Sequence, residues 1–141
     1  MHLEGIFSGA SALAMMGWLA LALAPLQRSW CIAFARIMAL LLAVAYLAQF
    51  FLTTVPVEGG GFSTLAGVML LFSEPGNVMM GWTHYLAFDL FIGSWEIEDG
   101  ARDKIPHWLL LPCLFLTLML GPIGLLLYFA IKFGKKQFFP A

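Results

Sequence analysis

A carboxylate in the middle of a long apolar stretch is the feature that most constrains what this chain can fold into. Asp89 lies within the run from Gly76 to Trp95, which otherwise consists mostly of apolar and small residues. A charged side chain at the centre of a membrane costs about 2.5 to 3.5 kcal/mol on insertion scales, so such a residue needs a partner or a wet cavity. The position of Asp89 therefore predicts a functional site around it.

The composition is typical of an integral membrane protein. Of the 141 residues, 62% are hydrophobic and 11% are charged, whereas a soluble domain has about 25% charged residues. The net charge of -1 leaves no basic stripe, so nucleic-acid binding is set aside. Cys31 and Cys113 form no CxxC pair and no ligand spacing with a histidine, and no nucleotide-binding loop occurs. We therefore predict no disulfide, no metal and no cofactor.

Four apolar stretches are long enough to cross a membrane core of about 30 Å, which takes about 20 helical residues. They lie at 6–25, 32–54, 76–95 and 107–131. A fifth stretch, 62–72, covers about half of that thickness and predicts a short re-entrant or interfacial helix with Ser63 as its N-cap. The predicted fold is all-α: an integral membrane four-helix bundle in one domain, with the short helix added.

Residues 96–104 form the most hydrophilic segment of the chain and hold six charged residues. We predict a solvated loop there rather than a cation site, because Glu96, Glu98, Asp99 and His107 lack a metal-ligand spacing. With four spans, the basic residues divide four against three between the two sides, which leaves the orientation open. We expect a bacterial inner membrane, or a plastid membrane if the chain has been processed.

Helical periodicity groups the polar residues of the third span on two faces. Trp82, Tyr85, Asp89 and Glu96 fall within a sector of about 60°, whereas His84 lies about 140° from Asp89. We predict Asp89, Tyr85 and His84 as acid-base residues, with Trp82 beside them in a ligand site. Two alternatives remain: Asp89 is a structural carboxyl group that pairs with Tyr85, and His84 is a packing residue.

Two further helix faces supply the other predicted ligand-binding residues. In the fourth span these are Thr117, Gly121, Gly124 and Tyr128, which recur at helical spacing. Pro122 removes a helical hydrogen bond, so we predict a kink with close packing at 121–124. In the second span Tyr46 and Gln49 lie on one side, beside a seam of alanines. Close helix packing and an interhelical hydrogen bond of Gln49 are the alternatives to ligand binding.

Three segments carry a resemblance to a known family: GWTHYLAFDLFIGSW at 81–95, HWLLLP at 107–112 and LTLMLGPIGLLLY at 116–128. The chain resembles the abscisic-acid-deficient-four-like family, whose plant members are small chloroplast membrane proteins needed for neoxanthin synthesis. The resemblance implies isomerisation of a carotenoid 5,6-epoxide to an allenic alcohol, with no net redox change. Such a reaction needs an acid at the epoxide oxygen and a base at the neighbouring polyene hydrogen.

We therefore expect a membrane protein that binds a carotenoid or a related isoprenoid and isomerises it by acid-base catalysis. The expected partners are this apolar ligand, membrane lipid and an enzyme of the same pathway. The main alternative is a non-catalytic protein that holds a carotenoid, another lipid or a partner enzyme. A small proton-coupled transporter is a third reading, although the first span offers no polar path.

Overall fold

The computed structural model describes residues 3–138, with side chains up to residue 135. This part of the chain is all-α and contains no strand; its helices are α1 (Leu3–Ala22), α2 (Arg28–Leu52), α3 (Leu65–Leu71), α4 (Pro75–Arg102), α5 (His107–Leu120) and α6 (Pro122–Phe138). Two of them, α1 and α2, are long and apolar enough to cross a membrane. α5 is equally apolar but has only 14 residues.

α4 lies at the centre of the bundle, because it packs against α1, α2, α5 and α6. A side chain at Gly93 would not fit, since its Cβ would lie 2.6 Å from the Trp18 ring. The core between α1, α2 and α4 is apolar, and Leu21, Leu42 and Leu90 are completely buried in it. The polar groups of α4 are thus held inside a packed bundle.

α4 is longer than the predicted span 76–95, and this corrects the predicted loop at 96–104. The helix continues to Arg102, because residues 96–102 include no proline and the next one is Pro106. The added turns contact α2 directly, because the Arg36 guanidinium donates to Glu98 Oε2 at 2.6 Å; it also donates to Ser94 Oγ, just before these turns, at 3.2 Å. The segment is therefore a structured part of the bundle.

The predicted fourth span, 107–131, is two helices rather than one. The chain turns at Gly121, whose φ of 50° lies in the left-handed region that glycine adopts readily. Pro122 then starts α6, where its missing N–H is not needed. α6 folds back against α5 so closely that a Cβ on Gly124 would lie 2.1 Å from the Thr117 backbone nitrogen. We call this pair the α5–α6 hairpin.

The α5–α6 hairpin begins and ends at the same end of the molecule. Its tip, Gly121, lies beside Asp89 near the middle of α4. From there α6 runs along α4: Tyr128 and Lys132 both donate to Asp99, and Lys135 Nζ donates to the Asp103 carbonyl at 2.7 Å. The hairpin thus covers one face of α4 from its middle to its C-terminal end.

Basic side chains collect at that end, which we call the basic end. His107 marks it on α5, because its ring contacts the Ala22 carbonyl at the end of α1 at 3.0 Å. Ion pairs, hydrogen bonds and a shared cavity bring together Arg28, Arg36, Arg102, Lys104, Lys132 and Lys135. These six side chains are thus on the side to which the hairpin returns.

The opposite end holds α3, which has seven residues and is about 10 Å long. The Thr64 side chain accepts a hydrogen bond from the Gly67 N–H at 3.1 Å and so forms its N-cap. The predicted cap, Ser63, is wrong by one residue. Asn77 at the start of α4 anchors the connection, because its side-chain nitrogen donates to the Val55 and Leu71 carbonyls at 3.0 and 2.9 Å.

Candidate functional site

A line of polar residues follows the face of α4 that the α5–α6 hairpin covers. Tyr85, Asp89, Glu96, Asp99 and Asp103 fall within a sector of about 80° at the helical period. Each of them is met by a residue of the hairpin or its tip. The hairpin therefore shields these groups from the apolar surroundings of the helix.

Asp89 lies at the tip of the hairpin. Both of its carboxyl oxygens would be 3.3 Å from a Cβ on Gly121, so the glycine leaves room for them. Within the described chain, its Oδ2 atom is buried and has no hydrogen-bond partner. Since buried polar atoms are nearly always hydrogen-bonded, the unsatisfied carboxyl oxygen makes Asp89 the candidate contact for a ligand group.

Tyr85 lies one turn before Asp89 and connects α4 to the hairpin. Its hydroxyl donates to the Leu118 carbonyl at 2.7 Å. Its ring is stacked on Trp82, with centroids 5.4 Å apart, and Trp82 is stacked in turn on Phe7 of α1 at 5.6 Å. The stack extends from the site towards the end of the molecule opposite the basic end.

Glu96 is completely buried, at 0% exposure. The Thr117 hydroxyl lies 3.0 and 3.2 Å from its two oxygens and donates to the carboxyl group. This corrects the prediction that Glu96 belongs to a solvated loop. The helical spacing of seven residues from Asp89 is the sequence signal for its burial, because it puts both carboxyl groups on one face.

Ion pairs join α4 to its neighbours at the basic end. Lys132 pairs with Asp99 and, at 3.2 Å, with Asp103. Arg36 and Arg102 both pair with Glu98, at 2.6 and 3.1 Å. The hydrogen bond from Arg36 holds the pKa of the Glu98 carboxyl below its ordinary value. Glu98 is therefore a fixed negative charge between two arginines.

His84 and Tyr46 lie on another face of the bundle. The exposed His84 ring is stacked on Phe88, with centroids 4.5 Å apart, and meets the Tyr46 ring edge at 5.7 Å. The structure therefore puts His84 outside the group formed by Tyr85, Asp89 and the hairpin tip. Sequence periodicity had already separated His84 from Asp89 by about 140°.

The other predicted ligand-binding residues form interior contacts. Gln49 is buried, and its amide nitrogen donates to the Thr83 hydroxyl at 2.9 Å. Thr117 and Gly124 are in the contact between α5 and α6, and the buried Tyr128 donates to Asp99. The sequence does not single out Thr83 as the partner of Gln49, because the two residues lie on different helices. It is recognised only once α2 and α4 are placed together.

An apolar groove lies between α1 and α5. It encloses about 260 Å³, and its lining includes Met15, Trp18, Leu19, Leu111, Phe115 and Leu118. Leu118 also provides the carbonyl that accepts the Tyr85 hydroxyl. Leu118 is therefore common to the groove and to the contact that Tyr85 makes with α5.

A metal site does not emerge from the described residues. Between residues 3 and 138, no group of three or more His, Cys, Asp or Glu residues could hold a metal ion. Three acidic residues of α4, Glu96, Glu98 and Asp99, are instead paired with threonine, tyrosine, lysine and arginine side chains.

The sequence profile of the ABA DEFICIENT 4-like family matches residues 5–128. The match covers most of α1, all of α2 to α5, and α6 as far as Tyr128. It confirms the resemblance drawn from 81–95, 107–112 and 116–128. Neither a curated protein nor a solved structure matches the chain significantly.

Proposed function

The chain belongs to the ABA DEFICIENT 4-like family, and from this premise we propose that it is a multi-pass membrane protein that binds a carotenoid or related isoprenoid and isomerises it at Asp89. Family membership suggests a carotenoid-related function. The observation that carries the catalytic part is the Asp89 carboxyl group. It lies at the hairpin tip beside Gly121 with one buried oxygen unsatisfied within the described chain.

The outer surface supports the membrane location. Large apolar side chains are exposed around the bundle, including Leu40, Val44, Phe51, Phe88, Phe115 and Leu126. Contiguous apolar surface of this kind is rare on soluble monomers. In the proposed arrangement α1, α2 and residues 76–95 of α4 cross the membrane, and the α5–α6 hairpin enters and leaves on one side. Non-crossing helices of this type are tolerated where other helices cover them.

The charge distribution supports one orientation. The described lysines and arginines lie at the basic end, whereas Glu4, Glu58 and Glu74 belong to the opposite end. Basic residues flanking membrane spans are enriched on the cytoplasmic side. The basic end is therefore proposed to be cytoplasmic, or stromal in a plastid. Trp30 and Trp108, both well exposed near this end, suit its interface with the lipid headgroups.

The ligand is proposed to lie in the groove between α1 and α5. The lining is almost entirely apolar, as a polyene chain requires. The groove is open along its length, so a long isoprenoid extends from it into the lipid. We propose that one ring of the ligand lies at the Leu118 end, because Leu118 also contacts Tyr85, one turn from Asp89.

The isomerisation needs one proton to move, and one carboxyl group is sufficient for it. Asp89, in its protonated form, donates its proton to the epoxide oxygen as the carbon–oxygen bond breaks. The resulting carboxylate removes the hydrogen from the neighbouring polyene carbon, and the electrons of that C–H bond form the new double bond of the allene. Asp89 is then protonated again, so protons and electrons balance. Acid-base catalysis of this kind contributes about 10² to 10⁴ in rate.

A second candidate function is non-catalytic binding of a carotenoid or of a partner enzyme. The hydrogen bond from the Tyr85 hydroxyl to the Leu118 carbonyl favours it, because it gives Tyr85 a structural role in the contact between α4 and the hairpin. The same apolar groove would hold the pigment in either case.

Asp89→Asn tests the catalytic proposal, because it keeps the size and hydrogen bonding of the side chain but removes the proton. The variant, produced in a pigment-free host and supplied with a 5,6-epoxy carotenoid in detergent, should still bind pigment and lose conversion by about 100-fold or more. Asp89→Glu should keep part of the activity. Glu96→Gln is the matched control, a buried carboxyl group on the same face of α4. Full conversion by Asp89→Asn would overturn the assignment.

A further inference from the structure

A second groove lies between α2 and α4, on a face that the proposed carotenoid site does not use. Its apolar part encloses about 370 Å³ and is lined by Ala39, Leu40, Ala43, Phe88 and Phe91 among others, with Arg36 included. A polar cavity of about 420 Å³ adjoins it, and Arg36 belongs to both. The two cavities lie side by side with Arg36 between them, and we refer to them together as the amphipathic groove.

Three arginines surround the polar cavity. Arg28, Arg36 and Arg102 line it together with a single carboxylate, Glu98. Glu98 holds two of the guanidinium groups in place, because Arg36 binds its Oε2 at 2.6 Å and Arg102 its Oε1 at 3.1 Å. The cavity therefore has an excess of fixed positive charge.

Backbone groups add to this positive field. Ser29, in the first turn of α2, also lines the polar cavity. The N-cap residue of this 25-residue helix, Gln27, forms no side-chain cap hydrogen bond. The N–H groups of a helix start carry a partial positive charge and are suited to phosphate oxygens. The arginines and the start of α2 thus both favour a negatively charged phosphate group.

We propose that this amphipathic groove binds a lipid with a phosphate headgroup. The phosphate is held by Arg28 and Arg102 with Arg36 behind them, and one chain of the lipid lies over Ala39 and Ala43 towards Phe88. Guanidinium groups match phosphate oxygens in a bidentate manner. An apolar chain would account for the adjoining groove, which free phosphate would leave empty. The proposal rests on the membrane location proposed above but not on isomerisation.

The continuity of the groove with the membrane surface supports this occupant. Arg102 is well exposed, with 68% of its side chain accessible, so a headgroup reaches it from the interface. Arg36 is half-buried, and its guanidinium lies 5.8 Å from the centre of the Phe91 ring, at the boundary between the two cavities. Charged and apolar surfaces therefore follow one another in the order of a lipid headgroup and its chain.

Native mass spectrometry of the purified protein in detergent tests the proposal, with phosphatidylglycerol and diacylglycerol of identical chains as probes. Phosphatidylglycerol should bind at least about tenfold more tightly, because only it offers charge-assisted hydrogen bonds to the arginines. The double variant Arg28→Gln/Arg102→Gln should remove this preference. Lys104→Gln is the matched control, since Lys104 is a basic residue of the same end that does not line the cavity. Equal binding of the two probes would overturn the proposal, as would an equal effect of Lys104→Gln.

A separate variant tests the apolar part of the groove, which is proposed to hold the hydrocarbon chain of the lipid. Ala43→Leu fills the apolar groove and should weaken the binding of phosphatidylglycerol several-fold. Ala12→Leu, at an exposed position on α1, should leave this binding unchanged. Complete displacement of the lipid by an excess of inorganic phosphate would contradict the role of the hydrocarbon chain.

Conversion of an epoxy carotenoid by the same variants separates the two proposals. Loss of the lipid preference with unchanged conversion would support the lipid site independently of the isomerase. Absence of conversion in the wild type and in every variant would overturn the proposed isomerase and leave the lipid site unaffected.

Discussion

The Tyr85 hydroxyl occupies the place of a backbone N–H at the end of α5, where it donates to the Leu118 carbonyl at 2.7 Å. In a continuous helix this carbonyl would accept from residue 122, but that residue is Pro122, which has no N–H. A side chain of α4 thus satisfies the group that the proline leaves open. The turn of the α5–α6 hairpin is thereby tied to the helix that carries Asp89.

Tyr85→Phe should destabilise the protein by about 1 to 2 kcal/mol, because it leaves the Leu118 carbonyl without a partner. The measurement is thermal unfolding in detergent, where a loss of a few degrees is expected. Tyr46→Phe is the matched control: it removes the same hydroxyl from a ring that contacts His84 on another face. Identical melting temperatures for the two variants would contradict the role assigned to Tyr85.

Gly124→Ala should strongly destabilise the α5–α6 hairpin. The added Cβ would lie 2.1 Å from the Thr117 nitrogen and 2.6 Å from the Cys113 carbonyl oxygen, so the helices would have to separate. Gly134→Ala makes the same change later in α6, where nothing lies within 4 Å, and should be neutral or slightly stabilising since alanine is a better helix former. A melting temperature for Gly124→Ala as high as that of Gly134→Ala would show that the helices are not in contact.

Cysteine labelling distinguishes the re-entrant hairpin from a fourth span. Single cysteines replace Gly61, Ser73, Lys104 and Gly134 in a chain whose Cys31 and Cys113 are alanine. In intact cells, an impermeant reagent should label only the first two cysteines, and the last two should react only after the membrane is permeabilised. A crossing by 107–131 would instead move the cysteine at position 134 to the side of Gly61. Labelling in that pattern would rule out the hairpin in the membrane.

The ion pair between Arg36 and Glu98 should make stability depend on pH. The pKa of Glu98 is lowered in the folded protein, so the pair stabilises above the ordinary carboxyl pKa and its contribution is lost as the pH falls through the lower folded value. Wild type should therefore melt above Glu98→Gln at neutral pH, and the difference should shrink below about pH 4.5. A difference that stayed constant down to strongly acidic pH would exclude this cause.

The spacing of residues along the sequence is sufficient to predict part of the candidate site. The 100° helical period puts Tyr85, Asp89 and Glu96 on one face and His84 on another, and the structure has them so. The Gly121–Pro122 pair likewise predicts an interrupted helix. These inferences depend only on residues within a few turns of one another.

Contacts between distant segments account for what the sequence did not show. A kink and a reversal at Gly121 have the same local signal, and the reversal depends on α6 packing against α4 through Tyr128 and Lys132. The burial of Glu96 depends on Thr117, 21 residues further on. The partner of Gln49 is 34 residues away. None of these pairs is encoded in the periodicity of one helix.

The return of the α5–α6 hairpin to its starting side has a consequence for how the protein is made. In the proposed topology no hydrophilic segment has to be translocated after α4, so the hairpin can enter the membrane after the three crossing helices have assembled. Until it docks, Asp89 and Glu96 have neither Gly121 nor Thr117 beside them. The acidic face of α4 is thus sheltered only once the hairpin has docked, so in the proposed topology this docking completes the polar interior of the protein.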